Sequence, residues 1–127
     1  MTVDPTGADV RRFVEEDDGG PVVMLNLLRY AEDGGESLYA RYVAAVQPHL
    51  ERVGAEVVYA GDTSTLVVPS DGHEWDAVLL VRYPSRQKFL EMVMHPDYQQ
   101  ITQLRTDGLE AAVLEATRPW PSNTIQP

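Results

Sequence analysis

The stretch Val22–Tyr30 reads VVMLNLLRY. It is too short for a surface helix, and its apolar side chains fall on both parities, so it reads as a strand covered on both faces. Pro21 opens it. A second stretch of the same kind, DAVLLVRY from Asp76 to Tyr83, is closed by Pro84. Two strands that are apolar on both sides belong at the centre of a sheet. Each then needs two covering layers.

Working outward from this pair, the turn formers Asp33, Gly34 and Gly35 lead into apolar positions Leu38, Tyr42, Ala45, Val46, Leu50 and Val53 at helical spacing, which Gly54 stops. Pro48 inside that pattern predicts a kink or a fresh last turn. Glu56–Ala60 and Thr65–Val68, separated by Gly61, Asp62, Thr63 and Ser64, read as a hairpin. After the second central strand, Ser85 caps a helix carrying Phe89, Leu90 and Val93. His95 and Pro96 break it, Pro96 begins another, and Tyr98, Ile101, Leu104 and Arg105 continue to Gly108. Leu109–Thr117 is the last strand.

Before the first strand, Thr6 precedes a short amphipathic helix with Val10, Phe13 and Val14 on one face. Apart from this helix and the small edge hairpin, the order is β-α-β-β-α-β, that of the α+β ferredoxin-like fold with an antiparallel sheet. Right-handed crossovers place both main helices on one face, with the first and third strands adjacent at the centre. The other face stays apolar and bare. A second copy of the chain is the expected cover, because so large a patch exceeds what monomers tolerate. The reading divides the chain into an N-terminal extension (1–20), the ferredoxin-like domain (21–117) and an extended tail (118–127) in which Trp120 is able to anchor on a neighbouring surface.

Size and composition narrow the classes. A chain of 127 residues fits one domain and buries roughly two-thirds of its unfolded surface, so it needs no staple. With no cysteine there is no disulfide, thiolate nucleophile or iron–sulfur cluster, which fits a reducing compartment. No leader-like or membrane-spanning segment is visible, and a cytoplasmic location is expected. Twenty acidic against ten basic side chains give a formal charge of −10, which disfavours nucleic acid and anionic membranes as partners. GDTST lacks the lysine and spacing of a phosphate loop.

Four segments resemble one known family: VVMLNLLRY, YARYVAAVQPHLERVGAEVVYAG, VRYPSR and HPDYQQ, which together span most of Pro21 to Thr117. They are similar to the dimeric α/β-barrel superfamily and, within it, to a bacterial family of unknown function and about this length. The resemblance implies a homodimer that closes a barrel. It covers proteins as different as cofactor-free quinone-forming monooxygenases, lactone isomerases and haem-degrading enzymes, so it implies a fold and leaves the reaction open. The cofactor-free monooxygenases use an asparagine with Tyr, Trp or His to orient a phenolic substrate. Asn26 matches by type and strand.

Asn26 is the single amide in its strand, and it is either a buried group satisfied by backbone or a ligand contact. Tyr39, Tyr42, Tyr59, Trp75, Tyr83 and Tyr98 suffice to line a small apolar cleft, with Tyr42 assigned to the core, Trp75 to a loop or interface, and Tyr59 and Tyr98 to the cleft. His49, His73 and His95 lack metal-ligand spacing, so no metal is expected, and no other cofactor either. His95 is the candidate general base, weighed against a structural role. Among Arg29, Arg82, Arg86 and Arg105, each has an ion pair as its ordinary reading, but Arg105 shares a helical face with Tyr98 and Ile101. These residues suit three functions: a cofactor-free enzyme of monooxygenase or isomerase type acting on a small apolar oxygen-bearing molecule such as a phenol, with His95 and Asn26 as the catalytic pair and Tyr59, Tyr98 and Arg105 binding; a non-catalytic dimer binding such a molecule; or a dimerisation module with a filled interior.

Overall fold

The computed structural model describes residues 3–121. Its order is α1 (Gly7–Glu15), β1 (Val22–Tyr30), α2 (Gly35–Arg52), β2 (Glu56–Asp62), β3 (Ala77–Tyr83), α3 (Arg86–Met94), α4 (Pro96–Gln99), α5 (Thr102–Gly108) and β4 (Leu109–Thr117). The sheet runs β2-β3-β1-β4 and all its neighbours are antiparallel. This is the ferredoxin-like arrangement, with the two doubly apolar strands at the centre as the sequence implies.

Strand parity divides the sheet cleanly. Val22, Met24 and Leu28 of β1 and Ala77, Val81 and Tyr83 of β3 enter the core with Tyr39, Tyr42, Val46 and Leu50 of α2. The opposite parity, Val23, Leu25 and Leu27 with Val78 and Leu80, faces away from the core and is only half-buried.

Local signals explain the helix starts. Thr6 and Asp9 form a reciprocal capping box on α1, and the Ser85 hydroxyl accepts from the Lys88 amide at the start of α3. α2 runs from Gly35 to Arg52 with the exposed Pro48 inside it. Phe13 of α1 meets Phe89 of α3 edge-on at 5.3 Å, and buried Arg86 donates to the Phe13 carbonyl at 2.7 Å, which ties the leading helix to the domain.

Two glycines touch where the turn into α2 passes the end of α5. A Cβ at Gly35 would lie 2.7 Å from the Gly108 carbonyl oxygen, and one at Gly108 would lie 3.0 Å from that of Gly35. Glycine is required there for space.

The expected hairpin does not form. β2 pairs with β3 instead, and residues 65–68 belong to the long connection between them, with Val67 and Val68 exposed. Thr65–Val68 has strand-forming residue types, but the pairing edge of β2 is taken by β3, and Pro69 removes a ladder donor. The base of the connection is closed by the Thr63 amide on the Asp76 carbonyl (3.0 Å) and the Tyr30 amide on the Asp76 carboxylate (2.8 Å). Of the tail, residues 118–121 carry no regular secondary structure and Trp120 is 69 % exposed; residues 122–127, on which the rest of the expected extended tail falls, lie outside the described residues.

Candidate functional site: a tyrosine-lined cleft

Between the inner face of the sheet and the helices lies a cavity of about 1150 Å³. Asn26 sits on its floor. It shares the parity of Met24 and Leu28 and pairs with Leu79 on one side and Leu114 on the other. Its Nδ2 donates to the Met24 carbonyl at 3.3 Å, a long bond within its own strand, and no other group among the described residues bonds the amide. An amide so weakly held in an apolar surround is available to a ligand.

Four tyrosines line the same space: Tyr39 and Tyr42 from α2, Tyr83 from the end of β3 and Tyr98 from α4. The Tyr42 and Tyr98 hydroxyls hydrogen-bond to each other at 2.7 Å, and the Tyr39 and Tyr42 rings lie 5.5 Å apart. Burial pushes the Tyr39 phenol up to about 12 and raises Tyr42, Tyr83 and Tyr98 as well, each offset in part by the Arg105 cation. At neutral pH all four are therefore protonated and can donate.

Arg105, on α5, is buried at the same cleft. Its Nη1 donates to the Val3 carbonyl at 2.6 Å and meets the Asp4 carboxylate at 3.5 Å, and the Thr106 hydroxyl also donates to Asp4. Its Nη2 is buried with no hydrogen-bond partner among the described residues.

The structure thus brings Asn26, Tyr98 and Arg105 to one cavity and leaves Tyr59 and His95 outside its lining. Tyr59 is turned away by a bulge. The register of β2 shifts between Val57 and Tyr59, so Tyr59 pairs with Leu80, whose side chain is on the outer face, where strict alternation from Val57 would have pointed it inward. Its hydroxyl lies over Gly61. His95 is the N-cap of α4: its Nδ1 accepts the Asp97 amide at 3.1 Å, so that lone pair is committed to the backbone. Tyr42 belongs to the core, as the sequence assigns it, and also borders the cleft, with Tyr39 and Tyr83 beside it. Their inward parity and their spacing on α2 were the available signals.

The remaining candidates have other partners. Arg29 pairs with Glu110 at 3.3 Å and lies over the Trp75 ring, Arg82 faces outward opposite Glu56, and Arg86 holds α1. His49 is buried edge-on to Tyr98 at 5.8 Å, and burial, then Arg52 and His95, lowers its pKa. Among the described residues no three His, Asp or Glu side chains gather as a metal site, and no helix is long and apolar enough to cross a membrane.

A family described as a domain of unknown function, DUF1330, matches residues 34–116. The chain belongs to this family. A protein of unknown function from Rhodopseudomonas palustris is 31% identical, with a TM-score of 0.86 over 94% of this chain and 98% of that one. Two structures of much lower identity share the fold alone. A dimeric ferredoxin-like protein of unknown function from Jannaschia sp. has a TM-score of 0.60 at 10% identity, over 79% of this chain and 100% of that one. A hydroxynitrile lyase from Passiflora edulis has a TM-score of 0.62 at 13% identity, over 81% and 99%. No curated protein matches.

Proposed function

We propose that this protein is a homodimer that joins through the outer face of its sheet and binds a small, largely apolar, oxygen-bearing molecule such as a phenol in the cleft between sheet and helices. Asn26 carries the reading, because its amide stands on the cavity floor with only a 3.3 Å bond to its own strand. The hydroxyls of Tyr39 and Tyr83 add donors at the ends of apolar rings, which is the lining expected of a small-molecule site. The half-buried Leu25, Leu27 and Leu80 support the dimer, as does the dimeric state named for the Jannaschia neighbour.

Cofactor-free catalysis in the same cleft is the second reading. The Tyr42–Tyr98 pair favours it, since two bonded phenols beside a cation can hold or pass a proton at Oη. In this version Asn26 orients the substrate oxygen, and His95 positions Tyr98 through the cap of α4 rather than acting as the base. A third reading, a dimerisation module with a filled interior, has no use for the cavity.

Native mass spectrometry of the purified dimer tests the first reading. A bound small molecule is expected in the wild type, or after incubation with a panel of simple phenols, and is lost in Asn26→Leu. That exchange keeps the volume and removes only the polar groups, so the melting temperature should move little. Unchanged occupancy in a variant whose stability alone has shifted would make Asn26 structural.

A further inference from the structure

Beside Asn26, the cleft contains a second group whose bonding is incomplete among the described residues. Arg105 is 9 % exposed, and its guanidinium spends Nη1 on the Val3 carbonyl and Asp4 while Nη2 is buried with no hydrogen-bond partner among the described residues. A guanidinium presents its donors as a flat fork that matches the two oxygens of a carboxylate. One side of this fork has no acceptor among the described residues. An unmade hydrogen bond on a buried charged group is costly, so the site is more stable when an acceptor arrives.

The surroundings restrict what that acceptor is. The tyrosine hydroxyls here are protonated donors, two of them already bonded to each other, so they supply no anion. Asp4 is the carboxylate that meets Arg105, yet it does so through one oxygen at 3.5 Å, with its side chain 54% exposed. Asp4 is a poor occupant. It also belongs to a short extended segment, ahead of the Thr6 cap, whose grip on the domain here is the Val3 carbonyl, the Asp4 carboxylate and the packing of Val3 on the core. A chain with a formal charge of −10 repels anions at long range, so an anionic ligand would need such a local cation.

We infer that the molecule bound in the cleft carries a carboxylate, that this group takes the free edge of the Arg105 fork, and that Val3–Asp4 is a strap which yields to admit it. The inference rests on the cleft being a binding site, as proposed above, and adds the charge of the ligand and the gate. The apolar body then lies against Tyr39, Tyr42 and Tyr98, with Asn26 left for a second oxygen.

Calorimetric titration of the full-length dimer with naphthoate and with neutral, near-isosteric naphthalenemethanol tests it. Naphthoate is expected to bind roughly 10-fold to 100-fold more tightly, the range of a charge-assisted hydrogen bond. Arg105→Met should bring naphthoate down to the alcohol and leave the alcohol unchanged, and Arg105→Lys, which keeps the charge and loses the fork, should fall between. Asp4→Asn removes the competing carboxylate from an exposed position and should tighten naphthoate about threefold without affecting the alcohol. That variant covers the case in which the arginine variants fail to fold. Equal affinity for the two probes, with Asp4→Asn silent, would leave the cleft as a binding site and overturn the carboxylate and the strap. Binding of neither probe to wild type or Asp4→Asn at millimolar concentration would overturn the cleft reading as well.

Discussion

Removing one hydroxyl from the Tyr42–Tyr98 pair should cost more than removing the second. The two oxygens are 2.7 Å apart, and both residues are buried, at 8% and 7% exposure. A buried bond of this kind is worth about 1 kcal/mol net, while stranding one partner costs about 1–3 kcal/mol. The pair borders a cavity into which water can follow, so the lower part of that range applies, and Tyr42→Phe and Tyr98→Phe are each expected to cost about 1–2 kcal/mol. In the double variant neither hydroxyl is stranded. Its cost should fall below the sum of the singles by about 1 kcal/mol. Urea unfolding at one fixed protein concentration reads the three values, because a dimer's apparent stability depends on concentration. Costs that add to within about 0.4 kcal/mol would show that the hydroxyls do not depend on each other, and would remove the proton-sharing argument for catalysis.

Two further outcomes follow from the core tyrosines and from the outer face. Burial holds the four cleft phenols above their ordinary value of 10.0, Tyr39 to about 12. Because the unfolded chain ionises first, the stability they contribute is complete below pH 10 and is lost as pH rises through the folded values, so ultraviolet titration should show these phenols ionising late and together with unfolding; reversible ionisation of all six tyrosines near pH 10 in folded protein would contradict it. Leu25→Asp places a charge at the middle of the half-buried outer face, and sedimentation is expected to show monomer for the variant and dimer for the wild type, whereas a wild-type monomer at micromolar concentration would refute the interface.

The central strands were legible because burial on both faces leaves its mark in both parities, and VVMLNLLRY needs no partner to be read that way. Asn26 and Arg105 were legible for a related reason: each is a polar residue placed where the pattern demands an apolar one. Tyr59 was not. A bulge adds one residue to the count, and nothing in EVVYAGD reveals that Val57 and Tyr59 stand on different sides of it. Residues 65–68 misled because strand propensity describes what a segment tolerates, while the edge it would need was already occupied by β3. The role of His95 was open to a closer reading, since the residue ahead of a proline that starts a helix stands at the cap, where its side chain is drawn to the backbone.

The Gly35–Gly108 contact acts as a fulcrum. Tyr39 stands one turn along α2 from it, and Arg105 stands one turn back along α5, so the two helices approach the cleft from a close backbone contact that also brings Gly108 against Leu38 and Tyr39. A side chain added at either glycine is expected to push the two helices apart, and Tyr39 and Arg105 with them, without altering either residue. The spacing of these two cleft-lining residues is thus tied to two residues that have no side chain, which lie outside the cleft lining and would escape a search confined to its walls.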